Sequence, residues 1–115
     1  MGRHDDLIYL RHISDSISAI EEFTNRGGRE LFDKDRAIQN AVIKELEIIG
    51  EACRNLSENF KRAHHTIPWG DIIGARDKLV HDYMGVDLDR VWLMAVQDVP
   101  ELKEKVKVIL ENEGS

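Results

Sequence analysis

Apolar residues recur at spacings of three and four along most of the chain, and no segment alternates cleanly enough for a strand. Leu7, Leu10, Ile13, Ile17, Ile20 and Phe23 mark one face of a helix from about Asp5 to Thr24, and "NRGG" at 25–28 ends it with glycine. Ile38, Val42, Leu46, Ile49, Cys53, Leu56 and Phe60 form an apolar line along a long second helix, from about Asp33 to His64. Asp33 or Asp35 is its expected cap. Gly50 lies inside this helix, where glycine costs about 1 kcal/mol relative to alanine. Its presence predicts the close approach of another backbone. Glu47, Glu51 and Arg54 lie beside the apolar line, on a face open to a polar site.

"TIPWGD" opens a third helix, with Pro68 in its first turn and Trp69 wedged into the core. That helix stops near Gly85. Asp87 or Asp89 caps a fourth segment, "DLDRVWLMAVQ", which Pro100 interrupts before a final helix, "PELKEKVKVILEN". The pattern predicts an all-α antiparallel bundle of four to five helices, in one domain over residues 1–115.

Hydrophobic residues make up 42% of the chain and charged residues 33%, a globular balance and not a disordered one. No apolar run approaches the roughly 20 residues that span a bilayer. The stretch "MGRHDDLIYL" has no signal-peptide core, and Asp6 stands where a myristoylation signal takes Ser or Thr. A cytoplasmic protein is expected. The single cysteine, Cys53, rules out an internal disulfide and a multi-cysteine zinc site, and is expected to pack as a small apolar residue. A net charge of −6 is poorly suited to bulk nucleic-acid binding, so any such function needs a local cationic site.

The third helix supplies a candidate. Ile72, Leu79 and Tyr83 recur at helical spacing, and Arg76 falls between the first two, where a core helix would carry leucine. An unpaired guanidinium is costly to bury. Arg76 must therefore pair with a carboxylate, line a wet cleft or face a second subunit. Glu51 is the first candidate partner and Glu47 the second. Tyr83 shares nearly the same face, whereas His81 is rotated by about 140° from Arg76 in an ideal helix. The two converge if the last turn loosens before Gly85, or if a second subunit completes the site. Arginine, histidine and tyrosine in one cleft suit phosphodiester chemistry. Histidine exchanges protons near neutral pH, and arginine holds phosphate oxygens with a planar fork. Cleavage that uses the RNA 2′-hydroxyl as nucleophile requires no metal.

"RDKLVHDY", residues 76–83, resembles the R-x-x-x-x-H-x-Y motif of the HepT-like branch of the HEPN superfamily. "AIQNAVIKELEIIGEA" (37–52), "IPWGDIIGARDKLVHDYMGVDLDRVW" (67–92) and "DVPELKEKV" (98–106) are similar to further blocks of that family. The resemblance covers most of the chain and is weakest over the first 30 residues. It implies a HEPN-type helical bundle, a homodimer with two motifs facing one cleft, and a metal-independent endoribonuclease without cofactor. It also implies the toxin role in a toxin–antitoxin pair, with a cognate MntA-type nucleotidyltransferase as antitoxin that transfers AMP to Tyr83. Arg76 and His81 take the catalytic positions. Asp77 stands where relatives often carry asparagine, which adds a negative charge beside the phosphate site.

The remaining candidates have plainer readings. His64 and His65 suit the C-terminal end of a helix dipole. His4 and His12, with Arg11, read as solvent-exposed or as part of an RNA-binding rim. Trp69 and Trp92 read as core or interface anchors, and Lys103, Lys105 and Lys107 as a solvated face. Two other classes of function compete with the nuclease. One is a non-enzymatic nucleotide-binding or regulatory partner of a small nucleotidyltransferase. The other is an interaction module in which Arg76 forms a structural salt bridge.

Overall fold

The computed structural model describes residues 3–81 and 85–113, and contains no strand among them. Helix α1 (Arg3–Asn25) is the spine. Its Leu10, Ile13, Ile17 and Ile20 are at most 1% exposed, as their shared stripe requires. Leu7 and Phe23 extend the stripe and are half-buried at its two ends.

A short helix, α2 (Gly28–Lys34), precedes the expected long one. Gly28 has φ +61°, a left-handed conformation that favours glycine, and lets the chain turn directly from α1 into α2. Asp35, not Asp33, caps α3 (Arg36–Asn55), accepting from the amides of Ala37 at 2.9 Å and Ile38 at 3.2 Å. Asp33 instead pairs with Arg29 at 2.7 Å. Val42, Leu46, Ile49 and Cys53 of α3 pack into the core that α1 opens.

The expectation of one helix to His64 is corrected. Helix α3 ends at Asn55, Leu56 and Ser57 are extended, and α4 (Glu58–Ala63) begins anew. The cause lies at the other end of the chain. The buried Asp6 carboxylate accepts both the Ser57 N–H and its Oγ–H, each at 2.7 Å. Ser57 Oγ in turn accepts from the Phe60 amide at 3.1 Å and caps α4. These contacts join the start of α1 to the end of α3, so the two helices run antiparallel.

Pro68 precedes α5 (Trp69–His81) and does not lie in its first turn; its carbonyl accepts from the Ile72 amide at 3.1 Å. Trp69 is buried as expected, and its indole N–H donates to the carbonyls of Lys61 and His64 at 3.2 and 3.1 Å. His64 ends α4 with its ring 4.5 Å from that of Phe60.

Asp87 caps α6 (Leu88–Leu93). Pro100 does not interrupt the C-terminal helical rod. A π-helical turn (Met94–Asp98) carries α6 into α7 (Val99–Glu113), and the Val99 amide reaches back to the Met94 carbonyl. In an α-helix the Pro100 ring would collide with the carbonyl four residues earlier. The wider turn relieves that collision and keeps the rod continuous. Lys103 bonds Glu21 at 2.9 Å and Lys105 bonds the Thr66 carbonyl at 3.0 Å, so these lysines tie α7 to its neighbours and do more than solvate a face. No helix among the described residues is long and apolar enough to cross a membrane.

Candidate functional site

The site grows out of the crossing of α3 and α5. A Cβ built on Gly50 would lie 2.2 Å from Arg76 Cβ and 2.4 Å from its Cγ. The glycine therefore admits the stem of a side chain, where the sequence pointed to another backbone. With its methylenes seated on α3, Arg76 runs along that helix and keeps only 25% of its side chain exposed.

Its head group meets two carboxylates. Nη2 lies 3.1 Å from Glu51 Oε2, and Nη1 donates to Asp77 Oδ1 at 3.2 Å. Glu47 holds no ion pair to Arg76 among the described residues. Asp77 is shared with a second cation: Arg54 Nη2 donates to Oδ1 at 2.6 Å and to Oδ2 at 2.7 Å. Glu51, Arg76, Asp77 and Arg54 thus form one strip of alternating charge across the two helices. Arg76 Nε is buried without a hydrogen-bond partner. The Arg54 guanidinium, helped by Arg76, holds the Asp77 carboxyl below the usual carboxylate range. Asp77 raises the pKa of Arg54 in return.

Arg76 also lines a mostly apolar groove of about 280 Å³ between α3, α5 and the C-terminal rod, together with Ile49, Ile72, Met94 and Leu102. The π-helical turn brings Met94 to this wall. His81 closes the described part of α5 through its backbone. Its side chain, and all of Tyr83, lie outside what the structure describes. Arg54 was legible only as a polar-face residue. Its place three after Glu51 and four after Gly50 puts it on the Arg76 side of α3, but nothing local foretells its bond to Asp77.

Cys53, next to Arg54, is fully buried, and burial pushes its thiol up to about 12. It is a packing residue and takes no part in the strip.

The fold and these groups define an all-α domain with an arginine-centred polar strip at a two-helix crossing. The family model described as "Ribonuclease HepT-like" matches residues 13–109. The chain is 47% identical to a protein of Thermococcus cleftensis named a probable ribonuclease HepT, over 84% of this chain and 88% of that protein. It is 40% identical to a protein of Caldanaerobacter subterraneus subsp. tengcongensis provisionally named an RNase, over 91% of this chain and 94% of that one. It is also 42% identical, over 95% of its own length, to a Methanocaldococcus jannaschii protein whose name joins gamma-glutamylcyclotransferase and RNase. The chain spans about half (49%) of that longer relative. No solved structure matches. The chain belongs to the HepT-like ribonuclease family.

Proposed function

We propose that the protein is a metal-independent endoribonuclease that acts as the toxin of a toxin–antitoxin pair in the cytoplasm. The observation that carries this reading is the seating of Arg76 on Gly50, five residues before His81 on the same helix. It fixes a guanidinium at a groove without leaving it free to swing. The RNase names of the relatives support ribonuclease activity.

In this reading Arg76 binds the scissile phosphate and stabilises the charge that grows on it. His81 takes the proton from the 2′-hydroxyl or delivers one to the departing 5′-oxygen. The 2′-oxygen attacks phosphorus, the bond to the 5′-oxygen breaks, and a cyclic phosphate is left. Helix α5 runs to His81, and in an ideal helix the two positions are offset by about 140°. That favours a homodimer in which the two copies share one cleft. Tyr83 is the acceptor of AMP from an MntA-type nucleotidyltransferase, and the added phosphate competes with RNA for Arg76.

The test is cleavage of single-stranded RNA with chelator present, by the parent and by Arg76→Ala and His81→Ala variants of unchanged fold. Cleavage lost in both variants, with growth arrest lost alongside, supports the nuclease. A chain that binds nucleotide and never cuts RNA is instead a regulatory partner of the nucleotidyltransferase. The observation favouring that second reading is that two carboxylates already occupy Arg76. Intact mass after incubation with the nucleotidyltransferase and ATP tests the pairing: AMP increments absent from Tyr83→Phe support it.

A further inference from the structure

We infer that Arg54 is a second phosphate-binding residue, and that the Asp77 carboxylate closes the Arg54–Arg76 pair in the free protein, in the place an RNA phosphodiester takes. The inference rests on the ribonuclease reading of Arg76 and adds to it a cation from another helix and a built-in competitor.

The geometry is that of one anion between two guanidinium groups. Asp77 Oδ1 lies 2.6 Å from Arg54 Nη2 and 3.2 Å from Arg76 Nη1. The two arginines, from α3 and α5, therefore reach a single oxygen. A phosphodiester offers what the carboxylate offers: two oxygens and one negative charge. Arginine's planar fork serves both.

The exchange is feasible on each side. Asp77 and Arg54 are 39% and 46% exposed, so a displaced carboxylate turns into water and not into an apolar core. Arg76 keeps its bond to Glu51 through Nη2 while Nη1 changes partner. Asp77 is the only ion-pair partner of Arg54 among the described residues, so Arg54 loses nothing else when the phosphate arrives. Asp77 stays ionised well into the acid range, so the pair is closed at neutral pH.

The test is binding of a labelled single-stranded RNA across a salt series, in a His81→Ala background that does not cut it. Asp77→Asn tightens binding several-fold, because the competitor is gone. Arg54→Ala added to Asp77→Asn weakens binding about tenfold and lowers the slope of log affinity against log salt by about 0.7, the loss of one phosphate contact. Arg54→Lys in that background restores the slope but only part of the affinity. Thermal melts confirm that every variant folds. Two results overturn the inference. In the first, Arg54→Ala makes no difference once Asp77 is asparagine, so Arg54 merely neutralises Asp77. In the second, Asp77→Asn weakens binding, so the carboxylate organises the site and does not close it. Loss of the underlying reading looks different: Arg76→Ala then binds RNA as its parent does, whatever Arg54 shows.

Discussion

Replacing Gly50 by alanine sets two effects of opposite sign against each other. Alanine is the better helix former by about 1 kcal/mol, so propensity alone predicts a more stable protein. The crossing predicts the reverse. The new methyl would meet Arg76 Cβ at 2.2 Å, and the neighbour must retreat by more than 1 Å before it reaches the 3.4 Å of ordinary contact. That neighbour is a Cβ, fixed to the α5 backbone, so no rotamer change relieves the overlap; the helices must part. Overpacking of this kind costs about 1–3 kcal/mol, and the rigidity of the contact places Gly50→Ala toward the upper end. The net effect is a loss of about 1–2 kcal/mol, read as a fall in Tm of about 3–6 °C per kcal/mol for a chain of this length. Parting α3 from α5 also displaces Arg76 relative to Glu51; on the proposed function, in which Arg76 binds the phosphate, a shift near 1 Å there lowers cleavage by about a hundredfold. The control is Gly74→Ala on α5, where an added Cβ meets nothing within 4 Å. There propensity acts unopposed, and stability rises by about 0.5–1 kcal/mol. Urea unfolding and RNA cleavage on both variants are the assays. A Gly50→Ala protein as stable as Gly74→Ala, or one that cuts RNA at the parental rate, refutes the account of the crossing.

Asp6→Ala removes a buried carboxylate that accepts twice from Ser57, and should cost about 2–3 kcal/mol in denaturant unfolding, with helicity lost first in α4, residues 58–63. Burial keeps the Cys53 thiol protonated from its ordinary 9.0 up to about 12, so the thiol is silent toward disulfide reagents in the native protein and reacts only on unfolding. Because the unfolded chain ionises first, stability is intact below about pH 9 and falls as pH rises toward 12; Cys53→Ala should abolish that slope. Glu51→Gln should change stability by less than about 1 kcal/mol, since the carboxylate is 46% exposed, while reducing RNA cleavage through loss of the second hold on Arg76.

The stripe of α1 and the apolar line of α3 were legible because burial on one helix face leaves a period that the residues themselves display. Arg76 was legible for the inverse reason: it breaks such a stripe. The pairing with Glu51 followed from the need to neutralise a half-buried cation. Other contacts between residues distant in sequence, where no buried charge demanded a partner, were not legible. Asp6 lies 51 residues from Ser57, and no local rule tells a helix that a carboxylate from another helix will draw off its next amide. Pro100 misled for a related reason. Its penalty is real in an α-helix, but a π-helical turn removes the clash without ending the rod. The Arg54–Asp77 bond belongs with Asp6, since it depends on the rotation of α5 against α3.

The strip at the crossing carries no net charge: Glu51 and Asp77 balance Arg54 and Arg76. Around it the chain carries a net −6. Such a protein offers a polyanion no long-range attraction, so encounter is not steered and binding depends on what is gained at contact. A phosphodiester entering the strip trades one carboxylate for another single charge, and that trade alone is nearly even. The surplus has to come from elsewhere in the ligand. The mostly apolar groove of about 280 Å³ that Arg76 lines, with Asp71, Asp98 and Glu101 also on its wall, is where on the proposed function a nucleobase beside the phosphate would supply it. On the proposed function, RNA whose bases are free to turn into the groove is the expected substrate and duplex with its bases stacked inside is not; cleavage of one strand, alone and annealed to its complement, checks this.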